Sequence, residues 1–184
     1  MKKRLCVLLV FLSIVSLGAY DRNNIFVGFG IGINDNFSQK KHTLIPSWYL
    51  LGGYEFKPLR EISIMAYIES SIGLKPSGLA TKVNLQVSLN ADFVLEAQIS
   101  EKARLGGYGG IGFGYSREEN AIVIENITSN EVQNKGLMFL NAGIQSCIDE
   151  SHLIRLGMKY PFDLKSITEN MRLIQVFLSY AYKF

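Results

Sequence analysis

The sequence predicts an all-β fold: an eight-stranded antiparallel up-and-down transmembrane β-barrel, preceded by a cleaved signal peptide. Three observations predict it. The chain opens with a basic stretch and a short apolar run, its body alternates apolar and polar residues over eight segments, and it stops on an aromatic residue at the end of the last segment.

Lys2, Lys3 and Arg4 form the positive start, residues 5–17 are apolar apart from two serines, and Gly18 and Ala19 precede a polar stretch at 20–24. That is the order of a secretory signal, which places the signal at 1–19 and the barrel domain at 20–184. The run is shorter than the roughly 20 residues a membrane-spanning helix requires. Ser16 and Gly18 fit the small-x-small rule better than Leu17 and Ala19, so the cleavage point stays open. Cys6 has no small-residue box before it, which argues against a lipoprotein anchor.

Removing 1–19 takes away three of the 19 basic residues and none of the 16 acidic ones, leaving 16 against 16. The basic balance belongs to the leader, and a nucleic-acid partner loses its support. Cys147 is the one cysteine left, so an intrachain disulfide is excluded. The remaining chain has the size of one domain.

The strands follow in order at 24–34, 45–56, 62–72, 82–95, 103–115, 136–148, 152–160 and 172–184. Residues 82–96 carry the clearest signal, with polar residues at nearly every even position and apolar residues at the odd ones. Period two over that length is a strand with one wet and one greasy face. The last segment repeats the pattern, with Phe177 as an apolar intruder on its polar side. Long polar connections are expected at 35–44, 73–81, 116–135 and 161–171, and short ones at 57–61, 96–102 and 149–151. Long loops at one end and tight turns at the other suit an outer-membrane barrel with both chain ends in the periplasm.

Alternation alone does not say which face points outward, and a soluble barrel of lipocalin type also alternates. Volume decides. One face carries Ile25, Val27, Phe29, Ile31, Trp48, Leu50, Leu85, Leu89 and Phe93, and the other carries Gly28, Gly30, Gly32, Gly106, Gly110, Gly112 and Gly114. An eight-stranded barrel has room inside only for its own side chains, so the small residues belong inside and the bulky ones against lipid. An aromatic girdle is expected from Trp48, Tyr115 and Tyr160 at the outer ends of strands and from Tyr54, Phe56, Tyr182 and Phe184 at the periplasmic ends. The aromatic Phe184 at the end of the last segment is expected to serve as the signal that outer-membrane assembly machinery reads.

This orientation sends Glu55, Glu69, Asp92, Glu96, Arg104, Arg155, Lys159 and Lys183 into the lumen, with Lys82 near its top. Charges in so narrow a space should pair into a network. The network reads either as a structural plug or as a selectivity gate, and the plug suits eight strands better. The glycine patterns at 28–32 and 110–114 lie inside strands with no following helix, so they are not phosphate loops. Catalysis finds no partners: His42 is expected in the first long loop and His152 beside a periplasmic turn, at opposite ends of the barrel, and neither has a serine in the pattern lipid A deacylases carry. No cofactor or metal site is expected. Asn126-Ile127-Thr128 matches a glycosylation sequon, but Ile124 stands where bacterial systems want an acid. In the third connection, residues 122–124 are apolar and suit either a binding loop or an extension of the flanking strands above the membrane.

The stretches NNIFVGFGIGIN, ARLGGYGGIGFGYS, LNAGIQSCIDESHLIRLGMKYPF and VFLSYAYKF resemble the outer-membrane barrel family of Helicobacter and its relatives, over most of the mature chain. In that family such segments recur as the first strand, a Gly-rich middle strand and a final hairpin ending in an aromatic. The large insertion domain of the family's adhesins is missing here, which puts receptor-specific adhesion in doubt. The expectation is a non-enzymatic protein of the cell outer membrane with a structural and loop-displaying role and some adhesion. Its partners would be the lipid bilayer, lipopolysaccharide, the assembly machinery and a host or surface ligand. The alternatives are a narrow porin-like channel and a lipid-modifying enzyme.

Overall fold

A computed structural model describes residues 24–38, 41–77, 80–124, 127–163 and 173–184. The expected signal at 1–19 lies outside the described residues. The eight strands are β1 (Asn24–Ser38), β2 (Lys41–Leu59), β3 (Ile62–Ser77), β4 (Ala80–Gln98), β5 (Ala103–Ile124), β6 (Ile127–Ile148), β7 (His152–Asp163) and β8 (Leu173–Lys183). Each pairs antiparallel with its sequence neighbour, and β8 returns to β1, so the sheet is a closed barrel.

The register sets the shape. Successive cross-strand partners run Asn24, Glu55, Met65, Asp92, Gly110, Asn141, Lys159 and Gln175, and return to β1 at Asn34. The row thus comes back ten residues further along β1. For eight strands that stagger tilts the strands by about 40° and leaves an interior about one side chain in radius. Burial then follows residue parity, as the pleat requires. Ile25, Val27, Phe29 and Ile31 project from the wall, and Phe26, Gly28, Gly30 and Asn34 face the axis.

Three of the connections expected to be long loops are instead mostly strand. The β1–β2 ladder runs to Ser38 and Lys41, β3–β4 to Ser77 and Ala80, and β5–β6 to Ile124 and Ile127. His42, expected in a loop, lies within β2. Residues 164–172, between β7 and β8, lie outside the described residues. The physical reason is that a ladder in register can propagate where the residues of both faces are mostly polar, while the hydropathy alternation that reveals it has vanished. On β5 the outward residues are apolar or glycine from Leu105 to Tyr115, then turn to Arg117 and Glu119. At this tilt the apolar part is about 25 Å tall, the height of a barrel's membrane band, and the β5–β6 hairpin rises roughly 20 Å above it. At the other end, Asp149 and Glu150 adopt left-handed backbone (φ 50° and 61°), which closes the β6–β7 turn tightly without glycine.

Candidate functional site

The lumen holds the chemistry-bearing side chains. At the end carrying residues 24 and 184, Lys183 donates to Glu55 at 2.6 Å. Beside them Glu96 lies 3.4 Å from Lys57 and 3.4 Å from Arg104, and accepts from Gln145 Nε2 at 2.7 Å. Cys147 Sγ sits between Lys183 and Arg104, at 3.6 and 3.8 Å.

An apolar layer follows. Phe26, Met65, Val94, Leu153 and Ala181 point to the axis, pack in one cluster and are at most 1% exposed. With Leu51, Tyr67 and Tyr108, which belong to the same cluster, they form a mainly apolar septum between two charged tiers.

Above the septum lies a second polar tier. Arg155 pairs with Asp92, which also accepts from Tyr67 Oη and from Asn141 Nδ2, each at 2.9 Å. The Arg155 guanidinium stacks 3.8 Å from the centre of the Tyr108 ring. Lys159 donates to Glu69 at 2.6 Å and to Asn90 at 3.3 Å. These charges are buried and oppositely paired, and Asp92, Arg155 and Lys159 each have a further hydrogen-bonding or ring partner, the arrangement that offsets desolvation. A third tier is mostly uncharged: Gln86 and Gln175 bond across the lumen, and Tyr49 Oη donates to Asn34 at 2.8 Å. Lys82 and Glu118, 3.5 Å apart, lie near the top.

Glycine makes the space for this filling. A Cβ on Gly110 would stand 2.3 Å from Asp92 Oδ1, and one on Gly157 would stand 1.8 Å from Tyr108 Oη. Of the charges expected in the lumen, Glu55, Glu69, Asp92, Glu96, Arg155, Lys159 and Lys183 are buried, and Arg104 is half-buried at the mouth.

The expectation of a lumen filled by small and charged residues needs correction. Phe26, Tyr49, Tyr67, Tyr108, Phe139 and Phe177 also point inward. Lys57, Tyr67, Asn90, Asn141 and Gln145, absent from the expected network, belong to its contacts. Parity was the available signal: Tyr67 shares its face with Glu69, and Tyr108 shares its face with Gly106 and Gly110. Large inward rings fit because glycines on neighbouring strands leave them room.

On the outside, Trp48, Tyr54, Tyr115, Tyr182 and Phe184 are exposed, and Phe56 and Tyr160 are half-buried. From the register and tilt, Trp48, Tyr115 and Tyr160 come within about 5 Å of one height, with Tyr54, Phe56, Tyr182 and Phe184 about 20 Å below. His152 lies on this outer wall near the lower level, its Nδ1 2.7 Å from Tyr180 Oη. No group of His, Cys, Asp and Glu among the described residues could hold a metal ion.

The family model described as Helicobacter outer membrane protein matches residues 28–184. Among solved structures, the chain is similar to Ail, the attachment invasion locus protein of Yersinia pestis. The TM-score is 0.58 at 16% identity, covering 89% of this chain and 99% of that one. It is also similar to Neisserial surface protein A, with a TM-score of 0.54 at 14% identity over 87% of this chain and 97% of that one. The outer membrane enzyme PagL matches with a TM-score of 0.56 at 12% identity, over 86% of this chain and 98% of that one. At these identities the likenesses show the fold. A search of curated proteins finds no match.

Proposed function

The chain belongs to the Helicobacter outer membrane protein family, and on that premise we propose that it is a closed, non-enzymatic scaffold that displays its hairpin tips at the cell surface. It is an outer-membrane β-barrel protein; the scaffold role is the finer reading. The observation that carries it is the apolar septum of Phe26, Met65, Val94, Leu153 and Ala181. Ions crossing the lumen would have to shed water there against a lining that is mostly hydrocarbon. What is left to interact is the rim, above all the tall β5–β6 hairpin.

Under this reading the apolar wall contacts the bilayer and lipopolysaccharide, and β8 with the Phe184 that follows it is what the assembly machinery recognises. Ail has been crystallised in complex with the heparin analogue sucrose octasulfate, and a surface ligand is part of the reading proposed here. The signal at 1–19 and the girdle belong to the same reading. The charged tiers on both sides of the septum favour a second reading, a narrow channel.

Planar-bilayer recording of the full chain tests the choice. The scaffold reading expects no steady openings, and a double Phe26→Ala, Met65→Ala variant that thins the septum is expected to conduct. Steady openings of the unaltered chain that vanish when Arg104 or Glu96 is neutralised would overturn closure. An altered acyl count in lipid A after expression would overturn the non-enzymatic part.

A further inference from the structure

The lipid-facing wall carries an apolar groove of about 430 Å³ across β2, β1, β8 and β7. Its origin lies in the register. Trp48, Ile31, Leu178 and Leu156 are successive cross-strand partners and form one outward row. Pro46, Ile33 and Val176 form the row above, two residues further along their strands. Ser47, Gly32 and Phe177, between the two rows, turn inward, so the floor is backbone. The lower row carries long side chains and the upper row includes the short Pro46 and Val176, so the rows do not close over that floor.

The dimensions point to one kind of occupant. Rows on one face of a strand are about 7 Å apart, and four strands span about 14 Å, the width and length of a stretch of hydrocarbon chain. Rows climb from β1 towards β8 because the strands tilt. Followed backwards from Trp48 to Leu156, the groove descends by roughly 9 Å. It therefore starts at the height of the outer aromatic residues and runs obliquely towards the middle of the apolar band. That is the path of an acyl chain hanging from a headgroup in the outer leaflet, and the groove is continuous with the lipid-facing belt. The outer leaflet of this membrane is built from lipopolysaccharide, whose several acyl chains share one headgroup, so one can lie in the groove while the others join the surrounding lipid. We propose that the groove seats one acyl chain of a lipopolysaccharide molecule, making this side of the barrel a specific lipid site.

Trp48 is the chain's only tryptophan and lines the groove, so it reports occupancy directly. The full chain is reconstituted in phosphatidylcholine vesicles whose acyl chains carry bromine, which quenches nearby indole. A second reporter, the Trp48→Phe, Phe113→Trp chain, places the indole at nearly the same height on another part of the wall. Lipopolysaccharide at a small molar excess over protein, too little to dilute the bromolipid, is expected to raise Trp48 emission about twofold, as a ligand above its Kd fills most sites. The indole at 113 is expected not to respond. Val176→Phe, which fills the groove and is checked for folding by heat-modifiable gel mobility, is expected to abolish the recovery. Equal recovery at both reporters, or none at either, overturns the proposal. Trp48 quenched more strongly than the indole at 113 and left unrelieved would give the groove to phospholipid, which overturns the lipopolysaccharide assignment.

Discussion

On β4, Leu85, Leu89 and Phe93 stand out from the wall with 41–62% of their surface exposed, whereas Asn90, Asp92 and Val94 on the opposite face are 2% exposed or less. The outward residues need only be apolar, because fluid hydrocarbon fills whatever shape they leave. The inward ones must match a particular neighbour in charge, volume and hydrogen bonding, because an interior about one side chain in radius leaves little slack. Tolerance of substitution should therefore switch with residue parity along one strand.

The largest effect tests the inward face. Asp92→Ala leaves Arg155 buried without its carboxylate and is expected to cost about 3–5 kcal/mol, read from urea unfolding of the barrel in vesicles. Replacing Arg155 with Met in the same chain should recover a large part of that loss, since it removes the stranded charge. The next breaks the outward rule by chemistry. Leu89→Arg, facing lipid near mid-membrane, is expected to cost about 2–4 kcal/mol in the same assay. Gly157→Val tests volume alone. Its Cβ would meet Tyr108 Oη at 1.8 Å and Phe177 at 2.7 Å, and a cost of about 1–3 kcal/mol is expected from overpacking. The smallest effect sharpens the contrast: Leu89→Val trims an outward side chain without leaving a void, so a change below about 1 kcal/mol is expected. A loss as large as that of Gly157→Val would mean the two faces are packed alike.

Much of this was legible in the order of residues. The alternation across 82–96 marks β4 and its two faces, the glycines at 28, 30, 32, 106, 110, 112 and 114 mark the inward face, and the acids and bases of the lumen fall on that face by parity. The partners were not legible. Lys159 and Glu69 lie 90 residues apart, and Lys183 and Glu55 lie 128 apart; nothing local tells a lysine which carboxylate it will meet. The upper strands were hidden for a different reason. Beyond Tyr115 on β5 the outward residues turn polar like the inward ones, at Arg117 and Glu119, so pairing continues without the pattern that betrays it.

What the sequence determined by itself is the period, the orientation of the faces and the strand count, because these follow from each residue's own solvent preference and its place in the pleat. The stagger of ten residues around the barrel was decided only by the tertiary structure. That stagger brings Arg155 to Asp92, stacks Phe26 with Met65 and Val94 into a septum, and aligns Trp48 with Leu156 along one groove. Closing a sheet on itself is a global condition that every strand's register must satisfy together, and no single segment contains it.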